Sequence, residues 1–159
     1  MEFWQKHRRF CKSLIAIEKA AEIAVIISYA ALLVYLLYSN IGFALRSAVT
    51  SIIALSLCTL LRFVVNARRP YQVYETLPAM NKDTKGQSFP SRHLTSVAVI
   101  SVSMLYMSTV FGCIFFALIL IMGTLRVLLG VHFVRDITVG AATGLVIGFL
   151  GVYVSPLII

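Results

Sequence analysis

Residues 94–125 read LTSVAVISVSMLYMSTVFGCIFFALILIMGTL, a run without one charged side chain. A membrane-spanning helix needs about 20 mostly apolar residues, so this run is too long for one span. Phe111-Gly112 lies near its middle and offers a break, which predicts two helices, at about 92–110 and 112–130. Three further windows are as poor in charge: Ile23–Leu45, Ser47–Leu61 and Ile137–Ile159. They predict helices at about 20–38, 42–65 and 133–156. In lipid every backbone polar group must be satisfied internally, and runs this long and apolar on all sides do that as helices rather than as a barrel. The composition agrees: 60% of residues are hydrophobic and 13% charged, against roughly 25% charged in soluble domains. The expected fold is an all-α, polytopic transmembrane bundle of about five spans, one domain over residues 1–159.

The N-terminus departs from a cleavable signal peptide. Its basic region is long, Glu18 and Glu22 interrupt the apolar run, and no small-residue cleavage site follows. Phe3, Trp4, Phe10, Leu14, Ile15 and Ile17 alternate with Lys6, Arg8, Arg9, Lys12 and Lys19. Residues 3–19 therefore read either as an interfacial amphipathic helix or as the basic flank of the first span. Cys11, Cys58 and Cys113 are scattered and odd in number, which suits small apolar fillers and neither a disulfide framework nor a metal site. The net charge of +8 sits at helix ends with no aromatic-interleaved polar domain, so anionic lipid head groups fit it and nucleic acid does not.

Against this background the polar residues stand out. Arg126-Val-Leu-Leu-Gly-Val-His132-Phe-Val-Arg-Asp136 places an Arg, a His and an Asp beside lipid, where ionisable groups mark function. His132 and Asp136 are four apart, a spacing that lets a carboxylate hold one imidazole nitrogen and leave the other to attack or take a proton. Arg126 is a fixed cation suited to an oxyanion. Read alone, the stretch equally fits an Arg and an Asp at two helix ends. The one long polar segment, residues 66–88, is bracketed by Arg62, Arg68, Arg69 and Pro70 before it and by Phe89-Pro90-Ser91-Arg92-His93 after it. Pro70 ends the second helix. Pro90 and Ser91 suit the start of the third, whose free N–H groups and positive dipole end attract anions. Five spans bring Arg62, Arg69, Ser91, His93, Arg126, His132 and Asp136 to one membrane face.

These residues resemble the type-2 phosphatidic acid phosphatases, which share an active site with the vanadium-dependent haloperoxidases. The family pattern runs K-x6-R-P, then P-S-G-H, then S-R-x5-H-x3-D. This chain has Arg62-x6-Arg69-Pro70, Pro90-Ser91-Arg92-His93 and Leu125-Arg126-x5-His132-x3-Asp136, so the motif core spans residues 62–136. The resemblance implies an integral membrane lipid phosphatase in which His132 is the nucleophile, forming a phosphohistidine, and Asp136 orients its ring. His93 is then the general acid, and Arg62, Arg69, Arg92, Arg126 and Ser91 hold the phosphate. No metal or other cofactor is implied. The substrate would be a lipid phosphomonoester or pyrophosphate such as phosphatidate, phosphatidylglycerophosphate or polyprenyl pyrophosphate. Three positions depart from the pattern: Arg62 stands for Lys, Arg92 for Gly and Leu125 for Ser, with Thr124 as a candidate replacement hydroxyl. Arg68, Lys82, Lys85 and Arg135 either bind a second phosphate or head group or are solvated.

Thirteen of the fourteen lysines and arginines fall on the site's face, Arg46 being the exception. The positive-inside rule then turns that face to the cytoplasm, in a bacterial inner membrane, although many six-span relatives carry this site outside. Two other functions remain compatible with the sequence: a lipid phosphotransferase using the same intermediate, and a non-catalytic anionic-lipid-binding membrane protein. A haloperoxidase would require vanadate.

Overall fold

The computed structural model describes residues 8–74 and 85–154 of the chain. Helix α1 spans Arg8–Ser39, α2 Ile41–Val65, the short α3 Pro70–Val73, α4 Arg92–Met107, α5 Thr109–Leu128 and α6 Val134–Phe149, which continues as a π-helical turn over Leu150–Val154. The architecture is all-helical. By length and composition α1, α2 with α3, α5, and α6 with its π turn can each cross a bilayer. The fifth, α4, is shorter at 16 residues and sits at the centre, packed on α6, α5 and α2. Its stretch from Val97 to Met104 is buried throughout, while Ile27, Leu60, Phe63 and Leu120 on the outer helices expose their side chains. A surface this apolar suits lipid, so the protein is a multi-pass membrane protein.

Local chemistry explains both ends of α2. Asn40 starts α2, its side-chain oxygen accepting the Phe43 N–H at 3.0 Å. Asn66 ends α2 in the left-handed region (φ 42°), its N–H bonded to the Arg62 carbonyl. Two expected boundaries move. The break between the third and fourth long helices falls at Ser108, in extended backbone (φ −162°, ψ 133°), and not at Phe111-Gly112. Gly112 lies inside α5 because a Cβ there would come within 2.8 Å of the Leu105 Cα, so the glycine permits close packing and does not break a helix. At the N-terminus no break separates an interfacial segment from a span. Residues 8–39 form one helix of 32 residues, about 48 Å at 1.5 Å per residue, longer than the hydrocarbon layer. Residues 3–7 of the expected amphipathic segment lie outside the described residues.

A close contact between α4 and α6 sets the site. Gly140, Gly144 and Gly148 form a stripe on α6 facing α4, and a Cβ at Gly140 would lie 2.6 Å from the Ser91 carbonyl oxygen. Small residues at this spacing let backbones approach where no hydrophobic force drives helices together in lipid. Hydroxyls reinforce the bundle from within: Ser47 bonds Ser103 at 2.8 Å, and Tyr29 bonds Ser51 at 2.8 Å. The start of α1, the end of α2, the start of α4, the end of α5 and the start of α6 meet at one end of the bundle.

Candidate active site

The described residues between α2 and α4 are tied down by side chains. Arg62 Nη1 donates to the Pro90 carbonyl at 2.9 Å, and Arg69 Nε to the Gly86 carbonyl at 3.1 Å. Gln72 Oε1 accepts from the backbone N–H groups of Arg69 (3.0 Å) and Gly86 (2.9 Å), and the Ser88 N–H reaches the Ala67 carbonyl. Charge-assisted bonds of this kind hold both guanidiniums in place before any ligand arrives.

His132 lies in the turn between α5 and α6 and is 3% exposed. Its Nδ1 is 3.6 Å from Asp136 Oδ2, longer than a hydrogen bond, and 3.4 Å from the Ser88 hydroxyl. Ser88 donates to the same Asp136 oxygen, which also accepts the Phe133 N–H at 3.0 Å. Asp136 is thus a fully buried carboxylate anchored by a hydroxyl and a backbone N–H, with the imidazole beside it. Burial pushes the His132 imidazole below its ordinary value, and Arg126 and Arg69 push the same way, against the opposing pull of Asp136. A neutral ring is the form able to attack phosphorus.

A cavity of about 270 Å³ opens beside His132, lined by Arg62, Arg69, Gln87, Arg92, His93, Arg126 and His132. Six of these seven are residues that the motifs single out. Ser91 lies behind the wall: its N–H donates to the Asp136 carbonyl at 2.9 Å, and its buried hydroxyl has no hydrogen-bond partner among the described residues. The expected helix-capping bond from that hydroxyl is absent, and its carbonyl starts α4 by accepting from Thr95. Arg92 is exposed at the cavity mouth and also lines an adjoining, largely apolar groove of about 330 Å³ with Val25, Ile26, Val97 and Ile100. Thr124 does not replace the missing hydroxyl: it is exposed and bonds the Leu120 carbonyl at 2.8 Å. Arg68, Lys85 and Arg135 are exposed, while Lys82 lies outside the described residues.

Two carboxylates from α1 stand behind these walls. Glu18, fully buried, pairs with the Arg126 guanidinium, and Glu22 Oε1 lies 2.9 Å from His93 Nε2. In the sequence these acids count against a signal peptide, and their partners are not visible there. Their four-residue spacing on one face of an apolar helix was the available signal. Ser88 and Gln87 carried none, because their role depends on how the loop folds back.

A family profile described as the PAP2 superfamily matches residues 31–158. A comparison with curated protein sequences returns no match. Among solved structures, Aquifex aeolicus LpxE is similar at 20% identity with a TM-score of 0.74, covering 91% of this chain and 86% of that one. The first transmembrane PAP2-type phosphatidylglycerolphosphate phosphatase from Bacillus subtilis is similar at 20% identity with a TM-score of 0.73, covering 94% and 78%. These likenesses establish a shared fold. The chain belongs to the PAP2 superfamily, whose profile spans most of its length. Its class is accordingly that of an integral-membrane lipid phosphatase.

Proposed function

We propose that the protein hydrolyses a lipid phosphomonoester or pyrophosphate by metal-independent double displacement through His132. With Nδ1 turned to Asp136 and Ser88, the Nε2 lone pair attacks phosphorus while the bond to the lipid oxygen breaks. His93 donates its proton to that leaving oxygen. Water then attacks the phosphohistidine, His93 takes a proton from it, and the P–N bond breaks to release phosphate and restore His132. Arg62, Arg69, Arg92 and Arg126 compensate the charge on the equatorial oxygens, which is most of what phosphoryl transfer requires. The Ser91 hydroxyl, buried behind the wall with no partner among the described residues, becomes a further donor for the same oxygens if it turns toward them.

The observation that carries this reading is one cavity walled by four guanidiniums and two imidazoles. The apolar groove that shares Arg92 and His93 with it suits an acyl or prenyl chain arriving from the bilayer. Phosphatidate, polyprenyl pyrophosphate and phosphatidylglycerophosphate all fit, the last being the substrate named for the Bacillus relative. Phosphate release from a panel of lipid phosphates, by purified protein in detergent with chelator present, tests the proposal. Activity that persists in chelator and is inhibited by vanadate supports it; activity that needs an added divalent metal overturns it. We further propose that the site faces the cytoplasm of a bacterial inner membrane, on the strength of the lopsided lysine and arginine count. A Lys85→Cys variant labelled by an impermeant thiol reagent in intact cells would contradict that orientation.

A further inference from the structure

The profile match begins at residue 31, so Glu18 and Glu22 lie on the part of α1 that the family pattern does not cover. Glu22 reaches the site from a different helix than any motif residue, and its Oε1 is 2.9 Å from His93 Nε2 with both side chains partly exposed. In the proposed reaction His93 must carry a proton when the lipid oxygen departs. Yet it shares its cavity with Arg62, Arg69, Arg92 and Arg126, and like charges disfavour a protonated ring. Arg126 already has a counter-ion in Glu18 on α1, and His132 is the other titratable group on the cavity wall. Glu22 places a carboxylate against His93 itself.

We infer that Glu22 is a positioning residue for the general acid: it orients the His93 ring and supplies the negative charge that keeps it protonated among four arginines. This rests on the phosphohistidine reading above. A protonated ring is what the first half-reaction requires, most of all with a poor leaving group. A nitrophenolate departs without needing a proton, whereas an alkoxide does not.

The test compares wild type, Glu22→Gln, Glu22→Asp and His93→Gln on a long-chain alkyl monophosphate and on p-nitrophenyl phosphate. General acid catalysis contributes about 10²–10⁴-fold, so Glu22→Gln is expected to lower kcat on the alkyl ester by about 10- to 100-fold and on the nitrophenyl ester by less than about threefold. KM should stay near that of wild type, the basic limb of the alkyl-ester pH profile should move to lower pH, and Glu22→Asp should recover part of the rate. In a His93→Gln background, Glu22→Gln should add nothing, because the two act as one unit. Equal loss on both esters, additive loss in the double variant, or no loss at all would overturn the inference. The phosphatase mechanism fails separately, and visibly: wild type would be inactive on both esters, or His132→Ala would stay active on them.

Discussion

His132 owes its chemistry to where it is buried. With its folded-state value held below the ordinary 6.5 by desolvation, the ring is neutral through neutral pH and ready to attack. The sign follows directly. Protonation removes the nucleophile, so kcat/KM should fall only as pH drops below the ordinary histidine range, and a pH–rate profile with its acid limb above that range would contradict this. Stability follows the same direction: the unfolded chain takes up a proton there that the folded chain resists, so stability is lost as pH falls. The residues that resemble the family motifs were legible because their types and spacings are unusual beside lipid. Ser88 was not, since nothing in its neighbours reveals that it will lie against Asp136, 48 residues on.

At the scale of elements, α1 and the α4–α6 pair make distinct commitments. The buried Glu18–Arg126 pair joins α1 to α5. Replacing Glu18 by Gln leaves a guanidinium buried and uncompensated, a change that costs about 3–5 kcal/mol in comparable sites. The variant should unfold at lower temperature in detergent, and vanadate should restore more stability to it than to wild type, because the anion then meets the unpaired charge. Unchanged stability would mean that cavity water already solvates the pair. Along α6, Gly140→Ala forces a Cβ against the Ser91 carbonyl, and overpacking of this kind costs about 1–3 kcal/mol. Because Ser91 leads into Arg92 and His93, activity should fall as well; a fully active Gly140→Ala protein would show that α4 can move without cost. The charge-poor windows revealed the long helices, but not their joints. Gly112 read as a break, and only the proximity of Leu105 shows why it sits inside a helix.

Across the whole molecule, five helix ends separated widely in sequence converge on one cationic cavity. Six of its lining residues were legible from motif order, because the parity of the spans alone brings them to one face. The carboxylates of α1 were legible as residues and not as partners, since a helix's rotation about its own axis is settled by packing and not by its sequence pattern. The proposed mechanism requires a covalent bond between phosphorus and His132. The direct measurement is to mix purified protein with a ³²P-labelled lipid phosphate, quench in alkali, where phosphohistidine survives, and map the labelled peptide. The expected result is base-stable, acid-labile label on His132 in wild type and none in His132→Ala. Label elsewhere in the chain, or a His132→Ala protein that still turns over substrate, would contradict it.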